Sequence, residues 1–204
     1  MKWEEDLIKD IRWHDPRDDD NYDKSEIVRL KPFDHNWKEE FSECNRENLT
    51  KSFLSLNKPR AVLEIGVCRN DEKSSTYCFL NNKNDETIYV GIDIVDKRFL
   101  NNPNKNIHTI KNRSCNYDEN VEKFKELGIT EFDYIFIDGW HDINQVLRDW
   151  EYTRLLAPNG IVGFHDTSDH PGPYWFMRAL NTDIWDVEEN VCCSDHGIGF
   201  VRKK

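Results

Sequence analysis

The stretch Ala61–Ser75, AVLEIGVCRNDEKSS, decides the fold, since it has the form of a buried strand that ends in a tight turn. Glu64-Ile65-Gly66 opens like a nucleotide-cofactor loop, but the further glycines of a GxGxxG motif are missing, and Asn70–Lys73 stands in their place. A pyrophosphate needs close approach to the amides of a helix N-terminus. The acidic loop therefore favours a cofactor that carries positive charge and no phosphate.

Short apolar runs recur from residue 61 onward at the spacing of strand–helix–strand units. They cover residues 61–65, 87–92, 107–110, 132–137 and 161–164, and two later candidates cover 184–187 and 197–201. The runs are continuously apolar rather than alternating, which is typical of parallel strands covered on both faces. This pattern predicts one doubly wound, Rossmann-like α/β domain with helices on both faces of the sheet, and the two late candidates suit an antiparallel hairpin at its edge.

The N-terminal quarter of the chain lacks these regularly spaced apolar runs. Leu7, Ile8 and Ile11 lie at helical spacing within an acidic segment, and residues 37–56 repeat large apolar side chains on one helical face. We therefore expect residues 1–58 to form a helical or irregular extension and residues 59–204 to form the α/β domain.

The charge balance narrows the range of partners. The chain of 204 residues carries 39 Asp and Glu against 28 Lys and Arg, a formal net charge of -11 at pH 7. Such an acidic field repels phosphate backbones, so we expect no nucleic-acid partner. The same field tolerates or attracts a cationic cofactor or a divalent metal ion.

The cysteine pattern and the first residues indicate a compartment. Six cysteines occur without a CxxC motif, and the chain opens MKWEEDLIKD, with no apolar signal segment. No apolar run approaches the length of a membrane span. These features predict a cytoplasmic protein with reduced thiols and no membrane partner.

Polar side chains follow each of the first five predicted strands. In open parallel sheets, ligands bind beyond the carboxyl ends of the strands. A helix cap or a turn explains any one of these side chains, but five at the same edge predict a ligand site. The segments concerned are Glu64–Gly66, Asp93, Ser114, Asp138–His141 and His165–Thr167.

Asp93 is the most informative of these positions. A carboxylate at the end of the second strand, after a glycine turn, accepts the hydroxyls of a ribose. That geometry serves pyridine dinucleotides and S-adenosylmethionine alike. The missing GxGxxG motif disfavours an NAD(P)-dependent oxidoreductase, which stays as the weaker alternative.

Four motifs carry a family resemblance: Glu-x-Gly at 64–66, VGIDI at 90–94, FDYIFIDGWHD at 132–142 and LLAPNGIVGFHDT at 155–167. In this order they resemble the class I S-adenosylmethionine-dependent methyltransferases, most closely the methyltransferase family 24 branch that includes sugar O-methyltransferases and cephalosporin-hydroxylase-like proteins. The resemblance covers residues 60–202. It implies a seven-stranded, mostly parallel sheet with an antiparallel last strand, and an N-terminal extension that acts as a lid or an oligomer contact.

The resemblance implies an S-adenosylmethionine site at the strand ends. Gly66 and Val67 would lie under the methionine portion, and Asp93 would hold the ribose. Ile94 would pack on the adenine. An acidic residue is common just before Ser114 in this pattern, and Arg113 stands there instead. The implied cofactor residues are Glu64, Gly66, Val67, Asp93, Ile94, Ser114 and Asp138.

A second constellation follows the fourth and fifth strands. In metal-dependent relatives of the catechol type, an Asp after the fourth strand and an Asp-Asn pair after the fifth bind magnesium, which implies Asp138, His165 and Asp166 as metal ligands here. Magnesium prefers oxygen ligands, and an imidazole ligand favours manganese, iron or zinc. The alternative is that Asp138 contacts the cofactor while Asp166 caps the next turn.

His141 and Asp138 are the candidate catalytic residues. Methyl transfer requires that the acceptor be aligned and that its proton be removed, and a neutral imidazole suits the proton removal. A metal that lowers the hydroxyl pKa would instead leave His141 to orient the acceptor, and a bond into its own helix is the third interpretation. His170 is a further candidate, and Trp140, Tyr174 and Trp175 either line the acceptor pocket or pack in the core.

Taken together, the sequence predicts an S-adenosylmethionine-dependent O-methyltransferase of a small hydroxylated acceptor such as a sugar or glycan. Whether it uses a divalent metal and whether it forms a homo-oligomer are left open by the sequence. The alternative from a different class is a catalytically inactive cofactor-binding protein that acts by interaction. The altered loop 68–75 favours that alternative. Asn tolerates positive φ better than most residues, so we expect Asn70 to preserve the turn.

Overall fold

The computed structural model describes residues 41–67, 72–168, 170–190 and 196–204. The strands in these ranges are β1 (Ala61–Ile65), β2 (Ile88–Asp93), β3 (Ile107–Lys111), β4 (Phe132–Ile137), β5 (Leu156–His165), β6 (Trp185–Asn190) and β7 (Ile198–Lys203). The α-helices there are α1 (Glu43–Leu54), α2 (Ser75–Asn82), α3 (Tyr117–Glu126), α4 (Ile143–Trp150) and α5 (Pro171–Ala179). None of these helices has the length and apolar character needed to cross a membrane.

The strands form one sheet in the order β3-β2-β1-β4-β5-β7-β6. Strands β1 to β5 pair in parallel, whereas β7 runs antiparallel between β5 and β6. The predicted mostly parallel, seven-stranded sheet with an antiparallel last strand is confirmed. The strand order reverses between β1 and β4, and the crevice beyond the carboxyl ends of these strands is where such sheets bind ligands.

Two apolar clusters cover the two faces of the sheet, because successive side chains of a strand point to opposite faces. On one face, α1 and α2 pack through Phe53 and Phe79 against Tyr134 of β4. On the other face, α3 and α4 contribute Phe124 and Trp150, and α5 joins the same cluster. The prediction of helices on both faces is confirmed.

Helix α1 lies within the predicted extension, yet its apolar face belongs to the core. Leu49 and Phe53 are buried, and the Tyr134 hydroxyl donates to Ser52 Oγ at 3.1 Å. Residues 41–54 therefore pack as part of the α/β body. The helix predicted around residues 7–11 lies outside the described residues, and the role of residues 1–58 as a lid or oligomer contact stays a prediction.

The cysteines are not uniform in redox state. Cys44 on α1 is disulfide-bonded, whereas Cys78 is free and buried and Cys115 is free and exposed. The expectation of reduced thiols is wrong for Cys44, because spacing along the sequence does not show which sulfurs the fold brings within bonding distance. The vicinal pair Cys192-Cys193 lies outside the described residues, and the cytoplasmic location stays a prediction.

Candidate active site

The turn after β1 crosses the end of β4 at van der Waals distance. Gly66 has φ +86°, and a Cβ at this position would lie only 2.0 Å from the carbonyl oxygen of Asp138. The Gly66 N–H donates to Ile92 O at 2.9 Å, and the Asp138 N–H donates to Ile65 O at 2.8 Å. Only glycine fits this crossing, so the cofactor turn and the backbone of Asp138 form one unit.

Glu64 is fully buried beside this turn. Its carboxylate accepts hydrogen bonds from Ser75 Oγ at 2.5 Å and Thr76 Oγ1 at 2.7 Å, both in the first turn of α2, and from the Tyr89 hydroxyl. Burial raises the pKa of Glu64 to about 7, although the three hydroxyls act in the opposite direction. These contacts anchor the start of α2 to the sheet, and a role near the amino group of the cofactor stays a prediction.

We expect Glu64→Gln to flatten the pH dependence of stability between about pH 4.5 and 7. The pKa of Glu64 in the folded protein is about 7 against 4.5 for an ordinary glutamate, so the folded state retains a proton that the unfolded chain releases. The stabilisation is complete below the lower value and is lost as the pH rises through the upper one, a change of about 3 kcal/mol. Urea unfolding at several pH values measures it, with the exposed Glu86→Gln as control. Identical pH slopes in the wild type and Glu64→Gln would contradict the assignment.

Asp93 ends β2 and holds the neighbouring turns. Its Oδ2 accepts the Val67 N–H at 3.0 Å, and its Oδ1 accepts the Val95 N–H at 2.7 Å. The ammonium of the buried Lys97 lies 3.8 Å from Oδ2. The Asp93 side chain keeps 14% of its surface exposed, and each carboxylate oxygen has a second lone pair, so it can accept further hydrogen bonds from a ligand.

Ile94 presents an apolar surface directly after Asp93. It is 69% exposed, and Val95 and Phe99 in the same loop are exposed as well. A flat base that covers such a surface removes apolar area from water on binding. Asp93 and Ile94 therefore present a carboxylate and an exposed apolar surface side by side, and their roles toward a ribose and an adenine stay predictions.

Ser114 belongs to a hydrogen-bond chain that begins on α4. Gln145 Nε2 donates to Ser114 Oγ at 2.9 Å and to Asp149 Oδ1 at 2.8 Å. Burial raises the pKa of Asp149 to about 7. The hydroxyl predicted to lie at the adenine edge is therefore positioned from α4, and Asp149 lies beneath the turn at Gly139, whose Cβ position is 3.0 Å from Asp149 Oδ2.

The ends of β4 and β5 bring together Asp138, His165 and Asp166. His165 Nδ1 lies 3.1 Å from Asp138 Oδ1 and 3.2 Å from Asp166 Oδ2. Asp166 has φ +62°, which is uncommon for a residue other than glycine and is found at functional sites. Asp166 contacts imidazoles, and His170 rather than Asp166 is the N-cap of α5; the alternative in which Asp166 caps the next turn stays a prediction.

His141 and His170 complete this histidine–carboxylate cluster, which we define as Asp138, His141, His165, Asp166 and His170. His141 Nε2 lies 2.6 Å from Asp166 Oδ2, and His170 Nε2 lies 3.5 Å from Asp166 Oδ1. The His141 side chain is 26% exposed, against 4% for Asp166. The interpretation in which His141 bonds into its own helix is wrong, because its partner lies after β5, outside α4.

Mutual electrostatics set the charge states in the cluster. Burial disfavours the charge of Asp166, but His165 and His141 outweigh it and hold the pKa of Asp166 well below its usual range. Burial likewise opposes protonation of the imidazoles, yet the neighbouring carboxylates raise the pKa of His141 and raise that of His165 well above its ordinary value. Burial raises the pKa of Asp138. Asp166 therefore acts as a buried anion that strengthens His141 as a proton acceptor.

Two exposed aromatic side chains stand on the segments that carry His141 and His170. Trp140, which precedes His141, is 74% exposed, and Trp175 on α5 is 39% exposed. Core packing therefore does not account for them. The Gly172 N–H donates to His141 O at 2.9 Å, which ties the start of α5 to the loop that carries His141.

Sequence reasoning missed Lys97, Gln145 and Asp149. Lys97 follows Asp93 by four residues, the spacing of an i,i+4 pair. Asp149 stands beside Trp150 on the buried face of α4, where a charged residue at an apolar position signals a polar contact. The four-residue spacing of Asp93 and Lys97 and the charge of Asp149 on an apolar helix face are both visible in the printed sequence. Each feature is also common where no ligand binds.

A family model described as a methyltransferase domain matches residues 62–167. No curated protein matches the chain. The MycE methyltransferase from the mycinamycin biosynthetic pathway, solved in complex with Mg, SAH and mycinamycin VI, has a similar fold with a TM-score of 0.51 and 20% identity. The match covers 72% of this chain and 45% of MycE, so the chain spans less than half of that protein.

Two further solved structures are similar over most of their length. The O-methyltransferase from Bacillus cereus, in complex with SAH, has a TM-score of 0.58 and 14% identity, with 81% of this chain and 83% of that chain covered. The O-methyltransferase TomG from Streptomyces achromogenes, in complex with SAM, has a TM-score of 0.55 and 15% identity, with 80% and 81% covered. These likenesses show the fold. Because the family model matches half of the chain, this protein belongs to the methyltransferase domain family, and its resemblance to the class I S-adenosylmethionine-dependent methyltransferases is confirmed.

Proposed function

We propose that this protein transfers a methyl group from S-adenosylmethionine to a hydroxyl of a small acceptor such as a sugar or glycan. The observation that carries the proposal is the backbone crossing of Gly66 and Asp138, which places a cofactor turn beside a cluster with a proton-accepting histidine. A methyl donor and a proton acceptor at one sheet edge are what O-methyl transfer requires.

The strand ends fit the cofactor. Asp93 offers carboxylate oxygens to a ribose, and Ile94 offers an apolar surface to an adenine. Cationic groups suit an acidic edge, and the sulfonium and ammonium of S-adenosylmethionine are cationic. The Bacillus cereus enzyme and TomG, solved with SAH and SAM, support the same assignment.

His141 is the proposed general base. When bound, S-adenosylmethionine would supply the methyl group: the acceptor oxygen would attack the methyl carbon in line with the C–S bond, and SAH would leave. His141 Nδ1 takes the hydroxyl proton as the oxygen attacks, while the Nε2–H of the same ring donates to Asp166, which stabilises the imidazolium that forms. Asp166 thus performs the orienting role, because its Oδ2 lies 2.6 Å from His141.

Asp138, His165 and Asp166 are the proposed ligands of a divalent metal. The two carboxylates fit any hard cation, while the imidazole between them shifts the preference from magnesium toward manganese, iron or zinc. MycE was solved with Mg, which supports a divalent metal as a cofactor of this chain. When bound, a metal at this position lowers the pKa of a coordinated hydroxyl.

Trp140 and Trp175 support a ring-shaped acceptor. Small-molecule sites are lined mainly by apolar and aromatic side chains with a few polar groups among them, and these exposed rings stand on the two elements joined at His141. MycE, solved with mycinamycin VI, shows that a related fold takes a small-molecule substrate. A homo-oligomer stays a prediction.

Calorimetric titration with S-adenosylmethionine, SAH and NAD tests the cofactor. We expect the first two to bind and NAD not to bind, since a pyrophosphate has no GxGxxG turn to receive it. If none binds up to millimolar concentration, the methyltransferase proposal fails. If the two sulfur ligands bind but incubation with an extract of the source cells yields no methylated product, the inactive cofactor-binding alternative gains support.

A further inference from the structure

The histidine–carboxylate cluster contains two sets of three ligands that share Asp166. One set is Asp138, His165 and Asp166, the proposed metal site. The other set is His141, Asp166 and His170, and in each set the ligand atoms all lie within 4.8 Å of one another. The second set has two imidazoles and one carboxylate, a composition that no sequence motif of the family predicted.

We propose that His141, Asp166 and His170 form a binding site for a zinc-class transition-metal ion. An ion bound there takes His141 Nε2 and the Asp166 oxygen that would stabilise the imidazolium, so it weakens His141 as a base and inhibits methyl transfer. The inhibition rests on the proposed function, whereas the binding does not.

The backbone holds the three ligands in place before any ion arrives. The Gly172 N–H donates to His141 O at 2.9 Å, and a Cβ at Gly172 would lie 2.4 Å from the same oxygen. His170 precedes this glycine as the N-cap of α5. Asp166 is fixed by its left-handed backbone at the end of β5. A preorganised ligand set loses little conformational entropy on binding.

The donor atoms select the class of ion. His141 Nε2 and His170 Nε2 face different oxygens of Asp166, at 2.6 and 3.5 Å. Two imidazoles with one carboxylate suit zinc, iron or manganese better than magnesium. Three protein ligands with an open position are typical of zinc sites that exchange water or substrate, and the partly exposed His141 provides the open side.

The two sets compete for one carboxylate. Asp166 Oδ2 lies 2.6 Å from His141 Nε2 and 3.2 Å from His165 Nδ1. An ion in the second set therefore draws on the oxygen that the first set needs. Zinc in the second set therefore weakens His141 as a base. It also competes with the ion bound by Asp138, His165 and Asp166.

Titration of the metal-free protein without a histidine tag tests the site. We expect ZnCl₂ to bind with one equivalent in calorimetry, MgCl₂ not to displace it, and Co²⁺ in place of zinc to give visible absorption bands. His170→Gln should weaken zinc binding by at least the ~10–100-fold that loss of an outer-shell partner costs. His196→Gln is the matched control, because its ring centroid lies 5.1 Å from that of His170 but outside the set, and it should bind zinc like the wild type.

A second variant distinguishes the loss of a zinc ligand from a loss of folding. His170→Cys keeps a zinc ligand and should retain most of the zinc affinity that His170→Gln loses. Zinc affinity that is unchanged in His170→Gln but lost in Asp138→Asn would place the ion in the other set and overturn the proposal, as would a wild type that does not bind zinc.

S-adenosylmethionine titration on the same samples separates this proposal from the proposed function. Zinc binding without cofactor binding refutes the function and leaves the site standing. Active methyl transfer that zinc does not inhibit refutes the inhibitory role of the site, whereas relief of inhibition in His170→Gln supports it.

Discussion

Asp93→Ala is expected to weaken S-adenosylmethionine binding by a hundredfold or more. The carboxylate is proposed to accept both ribose hydroxyls, and hydrogen bonds to a charged group contribute about 1.5 kcal/mol each at least, so their loss costs about 3 kcal/mol. The same change removes the acceptor of the Val67 N–H, 3.0 Å away, and loosens the turn under the methionine portion. Calorimetry with S-adenosylmethionine and SAH measures the effect.

Asp96→Ala is the matched control for Asp93→Ala. Asp96 stands three residues further on, and its carboxylate pairs with the exposed Arg98 at 2.6 Å. Exposed ion pairs contribute little to stability, so this variant should bind the cofactor normally. Asp93→Asn keeps one acceptor oxygen and should fall between the alanine variant and the wild type. Wild-type affinity in a folded Asp93→Ala protein would show that the ribose is held elsewhere.

His141→Ala should lower the rate of methyl transfer by ~10²–10⁴-fold, the usual contribution of a general base. Cofactor affinity should stay near the wild-type value, because the imidazole contacts Asp166 rather than the Asp93 edge. The two quantities are measured separately, by single-turnover kinetics with a methylated product and by S-adenosylmethionine titration. This division between rate and binding distinguishes a base from a residue that shapes the cofactor site.

Added imidazole provides the decisive control for His141. A free base that enters the cavity left by His141→Ala should restore part of the rate, and it should not change His108→Ala, whose missing side chain lies on β3. Near-normal turnover in His141→Ala would show that His141 is not the general base. A slow variant that imidazole does not rescue, with an unchanged melting temperature, would leave His141 as an orienting group.

The sheet could be predicted from the sequence because its signals are local. Each of β1 to β5 contains a mainly apolar run, weakest in β3, and such runs are typical of strands buried on both faces. An antiparallel last strand was predicted, but its place between β5 and β6 was not, since no local pattern distinguishes an inserted strand from an edge strand. Strand β6 extends to Asn190, beyond the predicted residue 187, because polar residues at a sheet edge carry no apolar signal.

The site was predictable where it lies at strand ends and not where loops and helices approach it. Asp138, His165 and Asp166 were grouped because parallel strands deliver their carboxyl ends to one edge. His170 lies with them because it is the N-cap of α5, and the Gly172 N–H ties the start of α5 to the loop of His141. Asp149 meets Ser114 through tertiary packing of α4, and no spacing in the sequence encodes that contact.

The crossing of Gly66 over Asp138 has a consequence for how this enzyme can change its substrate. Under the proposed function the main chain holds the turn under the methyl donor against the backbone of Asp138, because two backbones in contact leave no side chain between them to adjust. Trp140 and Trp175 are exposed and stand outside this crossing, so under the same proposal they can be exchanged without moving it. We therefore expect changes of acceptor specificity to come from substitutions at Trp140 and Trp175. A side chain at Gly66 would instead disturb the crossing with Asp138 for every acceptor.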